Sequence, residues 1–169
     1  MQKQMQKDDS TEMQEFMQVI GKFDCAMLAT HSLEGEMRAR PMVVAEVDRD
    51  HALWLMSDVH SEKVDELSKD ARVSLTMQDS SRFASLSGKA EVVRDAKKVE
   101  ALWSEPWRVW FPKGPKDGSL VLLRVQPEHG EYWDNAGLSK AKYLAKAAKA
   151  YVEGERPKMD NSLHGKVNL

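Results

Sequence analysis

The sequence predicts a mainly β protein with flanking helices, an α+β chain built around a six-stranded antiparallel barrel. Six segments carry the apolar pattern of strands. The polar sequences LEGE and DRDH separate the first three, which indicates hairpin loops and therefore antiparallel neighbours. Few helical segments interrupt the strands, and this favours a closed barrel over a layered α/β sheet.

A short amphipathic helix opens the chain at residues 10–22. Its apolar residues at helical spacing are Met13, Phe16, Met17 and Ile20. A Ser/Thr cap precedes them and Gly21 ends the pattern. We therefore predict an N-terminal helical element within residues 1–22, ahead of the barrel.

The barrel is predicted within residues 23–134. The six strands are Cys25–His31, Met37–Asp48, Ala52–Met56, Arg72–Gln78, Phe83–Arg94 and Leu120–Trp133. In the second strand, Arg38 and Arg40 share a face with Met42, while the opposite face is small and apolar. That strand opens on two cations and raises the question of what they bind.

Helical segments are predicted at residues 61–70 and 95–105, followed by a Pro- and Gly-containing loop or short helix at 106–119. Residues 135–169 are predicted as a C-terminal helix and tail that pack on the same domain. The lysines of this helix suggest either a solvated face, which we favour, or an arm for nucleic acid or membrane.

Composition excludes several classes of function. The formal net charge of −2 gives the 169-residue chain no general attraction to nucleic acid. No apolar run is long enough to span a membrane, and the polar N-terminus is unlike a signal peptide, so we expect a cytoplasmic protein. The single cysteine, Cys25, lies in an apolar run and is predicted to be a buried structural thiol. Five dispersed histidines predict no metal site, and the motifs GxSxG, Walker A and GxGxxG do not occur.

A candidate anion site lies where the third strand meets the following helix. Ser57 ends the strand, Ser61 can cap the helix, and Lys63 falls in the first helical turn, where the helix dipole disfavours a cation. Hydroxyls, free N–H groups and a lysine suit a phosphate, although Lys63 could instead extend into solvent. Arg38 and Arg40 belong to the strand before, so a guanidinium can reach the same phosphate.

The segments RPMVVAEVD, ALWLMSDVHSEKVDELSKDARVSLTMQD and SGKAEVV, in this order and spacing, resemble the pyridoxamine 5′-phosphate oxidase-like family and, within it, the general stress protein branch. The resemblance spans about residues 23–134, and residues 152–169 are similar to the C-terminal extension of that branch. It implies a split barrel of the FMN-binding type, and a homodimer with FMN at the subunit interface.

The resemblance also implies which residues contact the cofactor. Arg40, Pro41 and Met42 take the place of an arginine-bearing strand, Met56 and Ser57 that of a pair beside the flavin, and Ser61 and Lys63 that of a phosphate-binding turn. Trp133 in EYWDN matches a tryptophan that reaches the flavin across the interface. Arg38 joins this set because it can compensate for Glu62, which stands where the family has an arginine.

Departures from the family argue against oxidation of pyridoxamine phosphate. Ala45 replaces a lysine that binds the substrate phosphate, and AGLSKAKY lacks the histidine and arginine of the corresponding segment. Phe83 stands where a glutamine contacts FMN in the family, and Glu62 stands where the family has an arginine, so the effect of these two replacements on FMN affinity stays open.

Three functions remain open at this point. The first is an FMN-dependent oxidoreductase of unknown substrate, reduced by a nicotinamide or another small donor. The second is a non-catalytic stress protein that stores, buffers or senses FMN, and the third is an interaction protein that keeps the barrel without flavin. No catalytic side chain can be named, because in the first case the flavin supplies the reactivity.

Overall fold

The computed structural model describes residues 12–134, 151, 152, 154 and 164–169. Residues 12–20 form helix α1. The elements that follow are β1 (Cys25–His31), β2 (Met37–Val47), β3 (Leu53–Asp58), α2 (Glu62–Lys69), β4 (Arg72–Gln78), β5 (Arg82–Val93), α3 (Ala96–Leu102), a 3-10 helix (Glu105–Val109), β6 (Leu120–Asp134) and β7 (His164–Asn168). The predicted C-terminal helix lies mostly outside the described residues, although Tyr151 and Val152 are helical.

A closed six-stranded antiparallel barrel confirms the predicted fold class. The strands follow the order β3-β2-β1-β4-β5-β6, and β3 pairs again with β6 to close the ring. The long strand β6 makes this closure possible, because its first half pairs with β3 while its second half pairs with β7. The strand β7 was not among the predicted strands.

Two apolar clusters stabilise the barrel. The larger one fills its interior, where Phe16 and Ile20 of α1 are fully buried with side chains from all six barrel strands. The smaller one lies between the outer face of β3 and β6 and helix α3, around Trp54 and Val99. Because both faces of β3 are covered, its first five residues are all buried.

The arginine-bearing face of β2 turns inward. Met42 is buried and Val44 packs against the barrel core, on the same face as Arg38 and Arg40. Pro41, on the opposite face, is exposed. The two arginines therefore lie at the end of the barrel interior, while the small apolar face of β2 is directed outward.

The prediction that Cys25 is a buried thiol was wrong, because Cys25 is exposed. In β1 the inward positions are Ala26, Leu28 and Thr30, which are buried. The alternation of the strand therefore directs Cys25 outward, whatever the polarity of its sequence neighbours.

Gly88 lies at a β-bulge in the β5–β6 pair, where the register shifts between Ser87 and Gly88. A Cβ atom at Gly88 would stand 2.1 Å from the backbone oxygen of Gln126 and 2.8 Å from the Cα atom of Pro127. Neither atom can move without displacing β6, so this close approach of two strands requires glycine.

We expect Gly88→Ala to lower the free energy of unfolding by about 1 to 3 kcal/mol, because the added methyl group forces two backbones apart. Urea unfolding measures the change. Gly118→Ala serves as the control, since no atom lies within 4 Å of the corresponding Cβ position. Equal stabilities of the two variants would contradict this account of the bulge.

Candidate functional site

A cleft of about 690 Å³ opens between β2, β3, the first turn of α2 and the segment that follows α3. Its volume lies within the range of small-molecule and cofactor sites. Residues 41–44 of β2 and 56–58 of β3 form its floor, and aromatic side chains from residues 107–111 form one wall. The cleft thus has a polar end near α2 and an apolar end near the 3-10 helix.

Two serines and a lysine form the polar end. The Ser57 Oγ atom, which is buried, lies 3.1 Å from the Ser61 Oγ atom. Ser61 is the N-cap residue of α2, yet its hydroxyl donates to the Asp58 carbonyl oxygen at 2.7 Å instead of accepting from a helical N–H group. The first N–H groups of α2 therefore have no side-chain cap, which leaves the helix N-terminus suited to an anion.

Lys63 lines the same end of the cleft and is partly buried. Its pKa lies below the usual range of lysine, first because burial disfavours the charge and second because the positive charge of Arg40 is close. Asp58 and Glu66 oppose this shift without cancelling it. An anion beside Lys63 would stabilise the charged ammonium and so oppose the lowering of its pKa, which makes this end of the cleft suited to a bound anion.

Arg40 is held by a buried carboxylate. Its Nη2 atom lies 2.8 Å from the Oε2 atom of Glu66, and Thr30 donates its hydroxyl to the same oxygen at 2.6 Å. Arg40 also contacts the Thr30 hydroxyl through Nη1. Glu66 and Thr30 are both buried, so this cluster connects the inner side of α2 to the barrel.

Arg38 is surrounded by acids. Its guanidinium lies 3.3 Å from carboxylate oxygens of Glu34 and Glu62, and 3.9 Å from the Oε1 atom of Glu66. Arg38 and Arg40 therefore bind carboxylates of this chain, and neither lines the cleft. The sequence prediction named these cations without Glu66, whose position beside Leu67 on the buried face of α2 is the signal that could have identified it.

Trp107, Trp110 and Phe111 form the apolar wall. Trp103 packs edge-on against Trp107, with ring centroids 6.1 Å apart, and against Phe111 at 6.5 Å. The sequence reasoning did not assign these residues to the site. The concentration of tryptophan in the second half of the chain was the available signal.

Five of the nine predicted cofactor residues line the cleft, and the other four do not. Those that line the cleft are Pro41, Met42, Met56, Ser57 and Lys63. Ser61 contacts Ser57, as described above, and Arg38 and Arg40 contact Glu66. Trp133 lies towards the other end of β6, where it pairs with Phe83 and stacks on His164 with ring centroids 5.2 Å apart. It does not line the cleft of its own chain.

The sequence matches the pyridoxamine 5′-phosphate oxidase-like family over residues 11–158. The chain belongs to this family. A comparison with curated proteins found no match.

In the part of the chain that the structure describes, no helix is long and apolar enough to cross a membrane, and no cluster of His, Cys, Asp or Glu could hold a metal ion.

The fold of this chain is similar to that of several solved structures, some of them related to general stress protein 26. A protein assigned to general stress protein 26 from Jannaschia sp. CCS1 is 24% identical with a TM-score of 0.72, covering 95% of this chain and 99% of the other. The general stress FMN/FAD binding protein from Xanthomonas citri is 26% identical with a TM-score of 0.60, covering 72% and 87%. A protein from Clostridium acetobutylicum related to general stress protein 26 is 20% identical with a TM-score of 0.63, covering 75% and 89%.

We expect Glu66→Ala to lower the free energy of unfolding by about 3 to 5 kcal/mol, because it leaves the Arg40 guanidinium without its buried partner. Glu62→Ala is the matched control on the same helix, since Glu62 is exposed and its ion pair with Arg38 contributes about 0.5 kcal/mol or less. Urea unfolding of both variants decides the matter. A Glu66 variant as stable as the Glu62 variant would show that the buried cluster does not anchor α2.

Proposed function

We propose that this chain is an FMN-binding flavoprotein that acts as an oxidoreductase on a small molecule, with FMN in the cleft between β2, β3 and α2. The observation that carries the proposal is the pairing, in one cleft, of a lysine and hydroxyl cluster with an apolar floor formed by Pro41, Met42 and Met56. FMN likewise has a polar and an apolar part, since it joins a phosphate dianion to a flat ring system. The Xanthomonas citri relative, described as an FMN/FAD binding protein, supports the assignment.

The donor set fits the phosphate group. Lys63 supplies a positive charge at this end of the cleft, and the hydroxyls of Ser57 and Ser61, with the uncapped N–H groups of α2, supply further donors. Arg40, which does not line the cleft, adds to the positive potential at Lys63, and Glu66 holds the Arg40 guanidinium in place. Along the floor, Pro41 and Met42 of β2 and Met56 of β3 offer apolar surface to the ring system.

A bound flavin supplies the redox chemistry, and the chain's own residues bind it, orient it and shield one side from water. Ala45 and the sequence AGLSKAKY lack the cations that bind a substrate phosphate in the oxidases that the chain resembles. We therefore propose a substrate other than pyridoxamine 5′-phosphate.

We also propose a homodimer with FMN at the subunit interface. The outer face of the β1–β2 pair is mostly apolar. It carries the exposed side chain of Met27 directly opposite Pro41, and that of Met37 at the far end of β2, opposite His31. Pro41 also lines the cleft, so this face is continuous with the site. Trp133, which does not line the cleft of its own chain, would then belong to the cleft of the second subunit.

We expect Lys63→Ala to weaken FMN binding by about 30- to 1,000-fold, because the phosphate loses its charge-assisted partner. Riboflavin, which lacks the phosphate, should bind both proteins equally. Fluorescence titration with the two flavins gives the comparison. Lys69→Ala is the control on the same helix, since Lys69 lies at the opposite end of α2 and donates to the Leu33 carbonyl oxygen. Parallel losses for FMN and riboflavin would place the damage in the ring pocket or the fold.

We expect the FMN-loaded protein to be reduced by NADH or NADPH under anaerobic conditions, because an oxidoreductase of this kind needs a small electron donor. Loss of the flavin's visible absorbance after mixing measures the rate. A protein that binds FMN but stays oxidised with both nicotinamides would instead favour a role in storing or sensing FMN.

We expect light scattering to give a mass twice the 19.2 kDa of the chain, because the apolar outer face of β1 and β2 is stabilised by burial against a second copy. Met27→Glu on this face should shift the protein towards the monomer and weaken FMN binding together. Tight FMN binding by a monomer would refute the interface proposed for Trp133.

A further inference from the structure

Trp110 is the feature of the cleft that packing does not explain. Trp107 and Phe111, its neighbours in the aromatic wall, also pack against the cluster around Trp54 and Val99. Trp110 is not part of that cluster, and 64% of its surface is exposed. It nevertheless lines the cleft, so its ring offers a free apolar face to a molecule bound there.

The backbone around Trp110 is held by local hydrogen bonds. The N–H groups of Trp110 and Phe111 both donate to the Trp107 carbonyl oxygen, at 2.9 and 3.0 Å. The guanidinium of Arg108 binds the carboxylate of Glu105 through two nitrogens, at 2.9 and 3.0 Å, across the 3-10 turn. The Trp110 ring is therefore presented from a braced turn, which lowers the entropy lost when a ligand stacks on it.

The charges that line the cleft restrict the class of ligand. Lys63 and Ser57 line the opposite end, and Ser61 contacts Ser57 there, where we place the FMN phosphate. The carboxylate of Asp58 accepts from the Ser119 hydroxyl at 3.0 Å and from the His60 N–H group at 2.7 Å. Asp24 is exposed on the rim and makes no side-chain hydrogen bond or ion pair within the described part of the chain. With Lys63 engaged, the remaining charge at the rim is negative.

We propose that Trp110 is the substrate platform of this cleft, and that the substrate class is a flat aromatic ring that is neutral or cationic. This inference rests on the proposed function, because the stacked ring is the substrate that would share the cleft with FMN. Asp24 disfavours anionic rings by charge repulsion, and Trp110 binds the ring face through dispersion and cation–π contact.

Isothermal titration of the FMN-loaded protein with menadione, a neutral flat quinone, tests the platform. We expect Trp110→Ala and Trp110→Leu to weaken menadione binding about tenfold, whereas Trp110→Phe keeps most of the affinity. Val109→Ala is the matched control, because Val109 is even more exposed, at 81%, and does not line the cleft. FMN affinity and mass by light scattering should be unchanged in all four variants.

The proposed preference for neutral or cationic rings is tested with 1,4-naphthoquinone-2-sulfonate, an anion with a related ring. We expect it to bind the wild-type protein more weakly than menadione does. In Asp24→Asn, the difference between the affinities for the two quinones should be smaller. An anion that binds as tightly as menadione would overturn the charge assignment.

Other outcomes overturn the platform itself. The first is failure of menadione to bind the wild-type protein, and the second is equal menadione affinity of Trp110→Leu and wild type. The third is a loss of FMN affinity in the Trp110 variants as large as their loss of menadione affinity. The fourth is a change of oligomeric state in Trp110→Leu. Failure of the proposed function has a different signature, namely no FMN binding by the wild-type protein. In that case the menadione titrations of the FMN-free protein still test Trp110.

Discussion

The pairing of β3 with β6 is the constraint on which the barrel and its cleft depend. It joins Leu53–Asp58 to Leu120–Val125, strands separated by more than sixty residues of chain. It sets Ser57 opposite Val121 and brings the Ser119 hydroxyl to the Asp58 carboxylate. The turn into α2 starts from this fixed edge, so the position of Lys63 follows from the closure of the barrel.

A second level of organisation comes from the buried carboxylate of Glu66. It binds Arg40 and Thr30 on the buried face of α2, where the helix packs on the end of the barrel. Arg40 is thereby kept in place, and its charge contributes to the lowered pKa of Lys63. At the polar end of the cleft, Lys63 therefore lines the site directly, and Arg40 acts on it through its charge from the end of the barrel.

Local patterns in the sequence predicted much of the fold, because the alternation of residues such as Val73 and Leu75 is set by strand geometry itself. The serines and Lys63 at the start of α2 were also predictable, since helix ends have recognisable chemistry. The pairing of Arg40 with Glu66 was not, because it requires α2 to pack on the barrel end. The short polar sequence of β7 carries no strand signal, and exposure of Cys25 depends on which face of β1 the barrel encloses.

The strand β7 covers the part of β6 that β3 leaves unpaired, from His129 to Trp133. Strand edges are where sheets of separate molecules join, so the seven-stranded sheet ends in a short edge of five residues instead of an open length of β6. Lys166 on that edge adds a charge whose desolvation opposes further strand addition. One small segment near the C-terminus therefore leaves less open strand edge for another molecule to join than β6 alone would present.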